Sequence, residues 1–355
     1  MDRRKFIKFS ALGAVSPLLG AGVISNLNAA KRESEKMMSI IDLTLCDGCA
    51  GRETPACVSA CRTKNAGVFP EPQKPIMDYW PQTKHEDYSD KRDVIDRLTP
   101  YNFTYVEKVE VAGRKVSVPR RCMHCDNPPC QKLCAFGVIS KSAQGAVEID
   151  RNFCLGGAKC RAVCPWGIPQ RQGGVGIYLK IAPKLAGGGV MYKCDMCADL
   201  LAEGKKPTCE SACPKGAIKF GKRAEILAEV ERARAAGRHI YGLDENGGTA
   251  TVYISDVAFE DIDRAITAKH ANKARVGVPH LKRVKNPLED TQVMAEAALV
   301  APIAGVIGAG IAAWKSAKAA KNIKFEKEIS NLNNSNLKEG AGADNSNLKL
   351  ESEAK

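Results

Sequence analysis

The chain has 355 residues, 53 Lys and Arg against 40 Asp and Glu, a formal net charge of +13, and 15 cysteines. That length buries its own core, so a disulfide framework of the kind small secreted chains need is not required, and an odd number of cysteines would strand one thiol. The basic residues are spread along the chain without aromatic interleaving or a basic helix, which argues against nucleic acid and for a solvated surface with a docking face for an acidic partner, anionic lipid sharing the attraction.

The first residues, Asp2-Arg3-Arg4-Lys5-Phe6-Ile7-Lys8, precede a mildly apolar stretch over 9–27 and then Ala29-Ala30. Residues 1–30 resemble a twin-arginine export signal, with Asp2 in the place of the usual Ser or Thr. The resemblance implies export of a protein that is already folded.

The cysteines form four groups, each closing with a Cys-x3-Cys pair: Cys46, Cys49, Cys57, Cys61; Cys122, Cys125, Cys130, Cys134; Cys154, Cys160, Cys164; and Cys194, Cys197, Cys209, Cys213. The third group is one thiolate short, because Gly157 occupies the place of the second cysteine in a C-x2-C-x2-C-x3-C run. Short loops such as Cys122-Met-His-Cys125 and Cys154-Leu-Gly-Gly157 let backbone N–H groups turn toward sulfur, and Pro165 and Pro214 stop the helix that follows two of the runs. A zinc ribbon joins two C-x2-C pairs, whereas here C-x2-C precedes Cys-x3-Cys three times. The spacing therefore favours iron–sulfur clusters, with zinc as the alternative. As cluster ligands the thiols would be occupied even in an oxidising compartment.

Residues 62–118 are a long insertion between the first two groups. The alternating stretch Asn102 to Val111, then Ala112-Gly113, then Arg114 to Val118, predicts a hairpin, and Val138 to Ser140 with Val147 to Ile149 predicts another. The seven residues Ala50 to Ala56 read as an outward loop between ligands. After the last group, Ala217 to Phe220 reads as a strand, Lys222 to Ala236 as a helix with Ile226, Leu227 and Val230 on one face, and Thr251 to Ile254 as a strand within a 222–290 extension. His270 and His280 have no metal-like partner pattern, while His124, between two ligands, is placed to tune a cluster by a hydrogen bond. The charge-free run from Ala297 to Trp314 just meets the length of a membrane span, although its Ala and Gly content also suits a buried soluble helix. Ala301, Gly305 and Ala309 would admit a second membrane helix. Glu289, Asp290 and Glu296 before it and Lys315, Lys318, Lys321 and Lys324 after it put the carboxyl end in the cytoplasm. Residues 329–355, with Ser-Asn-Leu repeated, read as a disordered tail. No nucleophile with a base and no phosphate-cradling loop stands out, and Gly173-Gly-Val-Gly176 lacks the third glycine of a dinucleotide fingerprint.

On Arg121-Cys-Met-His-Cys-Asp-Asn-Pro-Pro-Cys130 and Tyr192-Lys-Cys-Asp-Met-Cys197, the stretch from about Ser39 to Gly221 resembles the four-cluster ferredoxin-type electron-transfer subunits of membrane-bound respiratory oxidoreductases. Formate dehydrogenases, nitrate reductases and uptake [NiFe] hydrogenases carry such subunits, and the exported hydrogenase type, with its tail helix, is the nearest in layout. The resemblance implies an α+β fold of two ferredoxin-like cluster-binding modules with inserted hairpins over 39–221, plus a C-terminal single transmembrane helix over 297–314. It also implies exchange of ligands between the first and fourth groups and between the second and third. One cluster would use Cys46, Cys49, Cys57 and Cys213, and its companion Cys61, Cys194, Cys197 and Cys209. Of the other pair, one would use Cys122, Cys125, Cys130 and Cys164, and one Cys134, Cys154 and Cys160.

By the same resemblance the cofactors are three [4Fe–4S] clusters and, at the site lacking a ligand at Gly157, a [3Fe–4S] cluster. The alternative at that site is a cubane whose fourth iron carries water or another side chain. The implied function is relay of single electrons between a catalytic oxidoreductase subunit and a quinone-reactive integral membrane subunit. The chain would sit on the periplasmic side of the inner membrane, with no substrate site of its own. The alternative class is a redox-inert assembly or sensor protein that uses zinc or a labile cluster.

Overall fold

Met37-Met-Ser-Ile-Ile-Asp42 is a nearly unbroken apolar run with its middle four residues buried, the pattern of a strand covered on both faces, and it forms β1 (Met37–Asp42). The computed structural model describes residues 36–77, 86–181, 188–272 and 276–288, with Ile311, Trp314 and Lys315. The elements named below lie in the first of two units, Met1–Glu289; the second is Asp290–Lys355. The expected export signal over 1–30 and tail over 329–355 lie outside the described residues, as does 297–314 save Ile311 and Trp314. Among the described residues no helix is long and apolar enough to cross a membrane.

In chain order the strands are β2 (Tyr105–Val111), β3 (Arg114–Arg120), β4 (Ile139–Lys141), β5 (Val147–Ile149), β6 (Gln170–Gln172), β7 (Val190–Tyr192), β8 (Ile218–Lys222), β9 (His239–Tyr241) and β10 (Thr251–Ser255). Helices are α1 (Ala56–Asn65), α2 (Pro129–Lys132), α3 (Lys159–Val163), α4 (Ala198–Ala202), α5 (Thr208–Ser211), α6 (Arg223–Ala235) and α7 (Phe259–Lys269). Strands β8, β1, β10 and β9 form one sheet in that order, β1 running parallel to β10 and antiparallel to β8. Three separate two-stranded pairs, β2–β3, β4–β5 and β6–β7, complete the β structure among the described residues.

The predicted hairpin over 102–118 is β2–β3, with Ala112 and Gly113 both at positive φ, as a two-residue type I′ turn requires. Its first strand begins at Tyr105, because Thr99 and Asn102 exchange backbone hydrogen bonds in a tight loop just before it. The second strand runs on to Arg120. The hairpin near 138–149 is β4–β5, with Ile139 opposite Ile149. Helix α6 buries Ile226 and Val230, one turn apart, and packs across β1, β8 and β9.

The described part of the 222–290 extension belongs to the same body as the cysteine groups. It supplies α6, β9, β10 and α7, and β10 lies in the middle of the sheet beside β1. Its rings Tyr241, Tyr253 and Phe259 form an aromatic core with centroids 5.2–6.3 Å apart. The buried Trp166 indole N–H donates to the Tyr241 hydroxyl at 2.7 Å, which pins the end of the third cysteine group to this core. On the other side, the Ala250 N–H donates to the His124 carbonyl at 3.0 Å and Arg223 forks onto Asp126 at 2.7 and 2.9 Å, fixing the second group.

The β2–β3 hairpin is held to α7 by a buried acid. Glu107 is 2 % exposed and accepts from Lys269 Nζ at 2.6 Å and pairs with His270 Nε2 at 3.0 Å. His270 is therefore a structural histidine. Without the acid the buried His270 Nε2 loses its partner, while Lys269, about half exposed, keeps water and the Lys108 carbonyl; an unpaired buried polar group costs about 1–3 kcal/mol. Glu107→Ala is accordingly expected to lower stability by about 1–3 kcal/mol and Glu107→Gln by less, read as the shift in the chemical-denaturation midpoint of the holo protein.

Candidate metal centres

The four cysteine loops share a backbone device. The third residue of each, Gly48, His124, Gly156 and Met196, has φ of 65°, 49°, 66° and 62°. A left-handed turn at that point aims successive N–H groups into one concavity, the kind of nest that receives anions and iron–sulfur cores. For His124 and Met196, which are not glycine, the conformation costs about 1–2 kcal/mol each. In the first and fourth loops an aspartate caps the turn: Cys49 N–H donates to Asp47 Oδ1 at 2.8 Å, and Cys197 N–H to Asp195 Oδ1 at 2.9 Å. Amides also reach sulfur, Ala56 N–H toward Cys49 Sγ at 3.4 Å, Met196 toward Cys194 at 3.4 Å and Met191 toward Cys154 at 3.5 Å. The spacer after Cys49 runs outward through exposed Gly51, Arg52 and Glu53 and returns at Pro55 to start α1, which carries Cys57 and Cys61 inward.

Helices bring the groups together in pairs: α1 of the first packs on α5 of the fourth, and α2 of the second on α3 of the third. The thiols follow. Cys46, Cys49, Cys57 and Cys213 are electrostatic neighbours, and so are Cys61, Cys194, Cys197 and Cys209, with Cys209 also the strongest thiol neighbour of Cys57. Cys122, Cys125, Cys130 and Cys164 make a third neighbourhood, while Cys154 lies beside Cys134 and Cys160. Cys61, Cys194, Cys197 and Cys209 line one small cavity with Arg121 and Phe220. Among the described residues no three His, Cys, Asp or Glu side chains are drawn close enough to hold one lone metal ion.

Burial is the main cause that pushes these thiols up, to about 11 at Cys46, Cys130 and Cys209 and about 12 at Cys160, Cys164 and Cys194, with neighbouring thiols adding to it. Cys57, Cys61 and Cys125 are likewise pushed well up for the same reasons. Raised in this way, these nine thiols stay protonated when bare. Cationic iron in place of the protons removes the repulsion and deprotonates the ligands outright.

Buried polar groups face these sets. Burial, then Lys193, Arg121 and Lys141, hold the His124 imidazole well below its ordinary value and hence neutral. Its Nδ1 accepts from the Val147 N–H at 2.9 Å, so the proton is on Nε2, which is buried with no acceptor among the described residues. His124 was the histidine expected to serve a cluster; an orphaned donor inside the Cys122–Cys125 loop fits an acceptor sulfur. Arg121, 1 % exposed, donates to Ser39 Oγ at 2.5 Å and stacks over Phe220 at 4.8 Å. Lys193, 5 % exposed, donates to the Cys194 carbonyl at 3.0 Å and also to the Val147 carbonyl. Burial opposes both charges, yet the surrounding sulfurs, where they carry negative charge, outweigh it and raise both groups. Sequence reasoning passed over Arg121 and Lys193 as functional groups, although each stands immediately before the first cysteine of its group. The thiol sets, the N–H nests and the orphaned donor together fit anionic iron–sulfide cores.

The sequence model of the 4Fe-4S dicluster domain family matches residues 113–223. The Hydrogenase-2 operon protein HybA of Escherichia coli O157:H7 is 27% identical over 308 residues, 74% of this chain and 83% of that protein. The nitrate-inducible formate dehydrogenase iron-sulfur subunit of Escherichia coli K12 is 27% identical over 338 residues, 86% of this chain and 92% of that subunit. The formate dehydrogenase-O iron-sulfur subunit of the same organism is 29% identical over 240 residues, 62% of this chain and 67% of its own length. The paired cysteine loops and these likenesses converge: the chain is a ferredoxin-type iron–sulfur protein with a 4Fe-4S dicluster domain, similar to HybA and to formate dehydrogenase iron–sulfur subunits.

Proposed function

We propose that the chain is the iron–sulfur electron-transfer subunit of a hydrogenase- or formate dehydrogenase-type oxidoreductase, relaying single electrons between a catalytic subunit and a quinone-reactive membrane subunit. The observation that carries this reading is the pairing of cysteine groups, first with fourth and second with third, which gathers four thiol sets within one body. On this reading three [4Fe–4S] clusters use Cys46, Cys49, Cys57 and Cys213; Cys61, Cys194, Cys197 and Cys209; and Cys122, Cys125, Cys130 and Cys164. A [3Fe–4S] cluster uses Cys134, Cys154 and Cys160. Such clusters take up and release one electron at a time, at potentials set by type, net charge and hydrogen bonds. The protein's part is to hold them at fixed spacing, to keep water from the buried sulfurs and to present backbone N–H donors. The chain itself binds no substrate. Residues 1–30 direct export of the folded chain to the periplasmic side of the inner membrane, and 297–314 tether it there with the carboxyl end in the cytoplasm.

Anaerobically purified protein is expected to carry about 15 irons per chain with acid-labile sulfide and no zinc. It is also expected to co-purify from membranes with an oxidoreductase catalytic subunit. Stoichiometric zinc, or colourless protein without sulfide, would overturn the reading in favour of a redox-inert metal-binding protein.

A further inference from the structure

The Lys193 ammonium is almost fully buried, and among the described residues no carboxylate lies within ion-pair reach of it. A buried cation of that kind is costly unless an anion compensates it. Its position is fixed from two sides. On one it bonds the carbonyl of Cys194; on the other it bonds the carbonyl of Val147, whose N–H is held by His124, inside the Cys122–Cys125 loop. The side chain therefore bridges the fourth cysteine group to the second, and so spans two different thiol sets. Arg121 makes an instructive contrast. It is just as buried but lines the cavity of Cys61, Cys194, Cys197 and Cys209, with its guanidinium over Phe220 and no bond to the Val147 strand.

We infer that Lys193 is a shared electrostatic tuning residue, its one positive charge raising together the reduction potentials of the Cys61/Cys194/Cys197/Cys209 cluster and the Cys122/Cys125/Cys130/Cys164 cluster. The inference rests on the cluster reading above. Reduction adds one electron to a cluster and breaks no bond, and the electron comes from the neighbouring cluster. A fixed positive charge favours the more negative, reduced form at each site it faces, in a buried setting where solvent screens it little. Because one residue faces both sites, both potentials move together. Arg121, set among the Cys61/Cys194/Cys197/Cys209 thiols, acts mainly on that one site.

The test is a redox titration of the full chain, followed by electron paramagnetic resonance. Lys193→Met is expected to reduce the ratio of reduced to oxidised cluster at fixed ambient potential by tenfold or more at two clusters. For a one-electron couple a tenfold change is about 59 mV. Arg121→Met is expected to do so at one cluster, and Lys193→Arg, which keeps the charge, to leave both potentials near those of the unmodified protein. Unchanged potentials in Lys193→Met, or a shift at a single cluster, would overturn the inference. Loss of clusters in all Lys193 variants, the charge-keeping Arg included, would assign the residue to packing and equally overturn it. Iron and sulfide in the unmodified protein decide the underlying cluster reading separately.

Discussion

Gly157→Cys is expected to abolish the [3Fe–4S] resonance of the air-oxidised protein and to raise iron content from about 15 to about 16 per chain. The backbone permits the change. Gly156 and Ala158 take the left-handed turns of this loop, with φ of 66° and 54°, and Gly157 between them does not, so a side chain there meets no left-handed strain. Gly157 is exposed, which leaves room for the new thiol. The neighbouring glycine has no such freedom: a Cβ on Gly156 would stand 2.5 Å from the Gly189 backbone. Gly156→Ala is accordingly expected to lose the cluster at Cys134, Cys154 and Cys160, a control that separates adding a ligand from disturbing the loop. The added thiolate brings negative charge and lowers the potential of the site. A variant with an unchanged spectrum, or unmodified protein without any [3Fe–4S] signal, would sink the three-thiolate assignment.

The parts of this molecule that were legible in the sequence are those set by local spacing. Cys-x2-Cys and Cys-x3-Cys fix loops and single helical turns, and alternation around Ala112-Gly113 and Gln144-Gly145 fixes hairpins, within two or three residues of where they fold. What was not legible depends on contacts between distant segments. Strand β9 is three residues long, and β6, Gln170–Gln172, is polar yet wholly buried, so neither carries an apolar pattern to read. The 222–290 extension reads as an appendage until Ala250 is seen bonded to His124, and Trp166 to Tyr241. Lys193 and Arg121 pass for surface charges in a chain of net charge +13; only the fold sets them among sulfurs.

Stripping iron from the protein with a chelator under anaerobic conditions is expected to abolish cooperative thermal unfolding, and the loss is expected to reach well beyond the cysteine loops. Native domains are stable by about 5–15 kcal/mol in total, while a structural metal site in a small domain contributes about 10–16 kcal/mol; removing several such centres exceeds the margin. The apo chain would retain the buried cations Arg121 and Lys193 without the anionic cores that offset them. The central sheet offers no refuge, because it is tied to the same loops. Ser39 of β1 accepts from Arg121, Thr251 of β10 donates to the Cys122 carbonyl at 3.3 Å, and Cys125 bridges to Thr249. Limited proteolysis should therefore open sites within 222–272 at the same chelator concentration that opens the loops near Cys122 and Cys194. An apo chain that melts at the holo temperature with the same cooperativity would mean that the thiol sets fold without their cofactor, and the cages would then be packing features of the core.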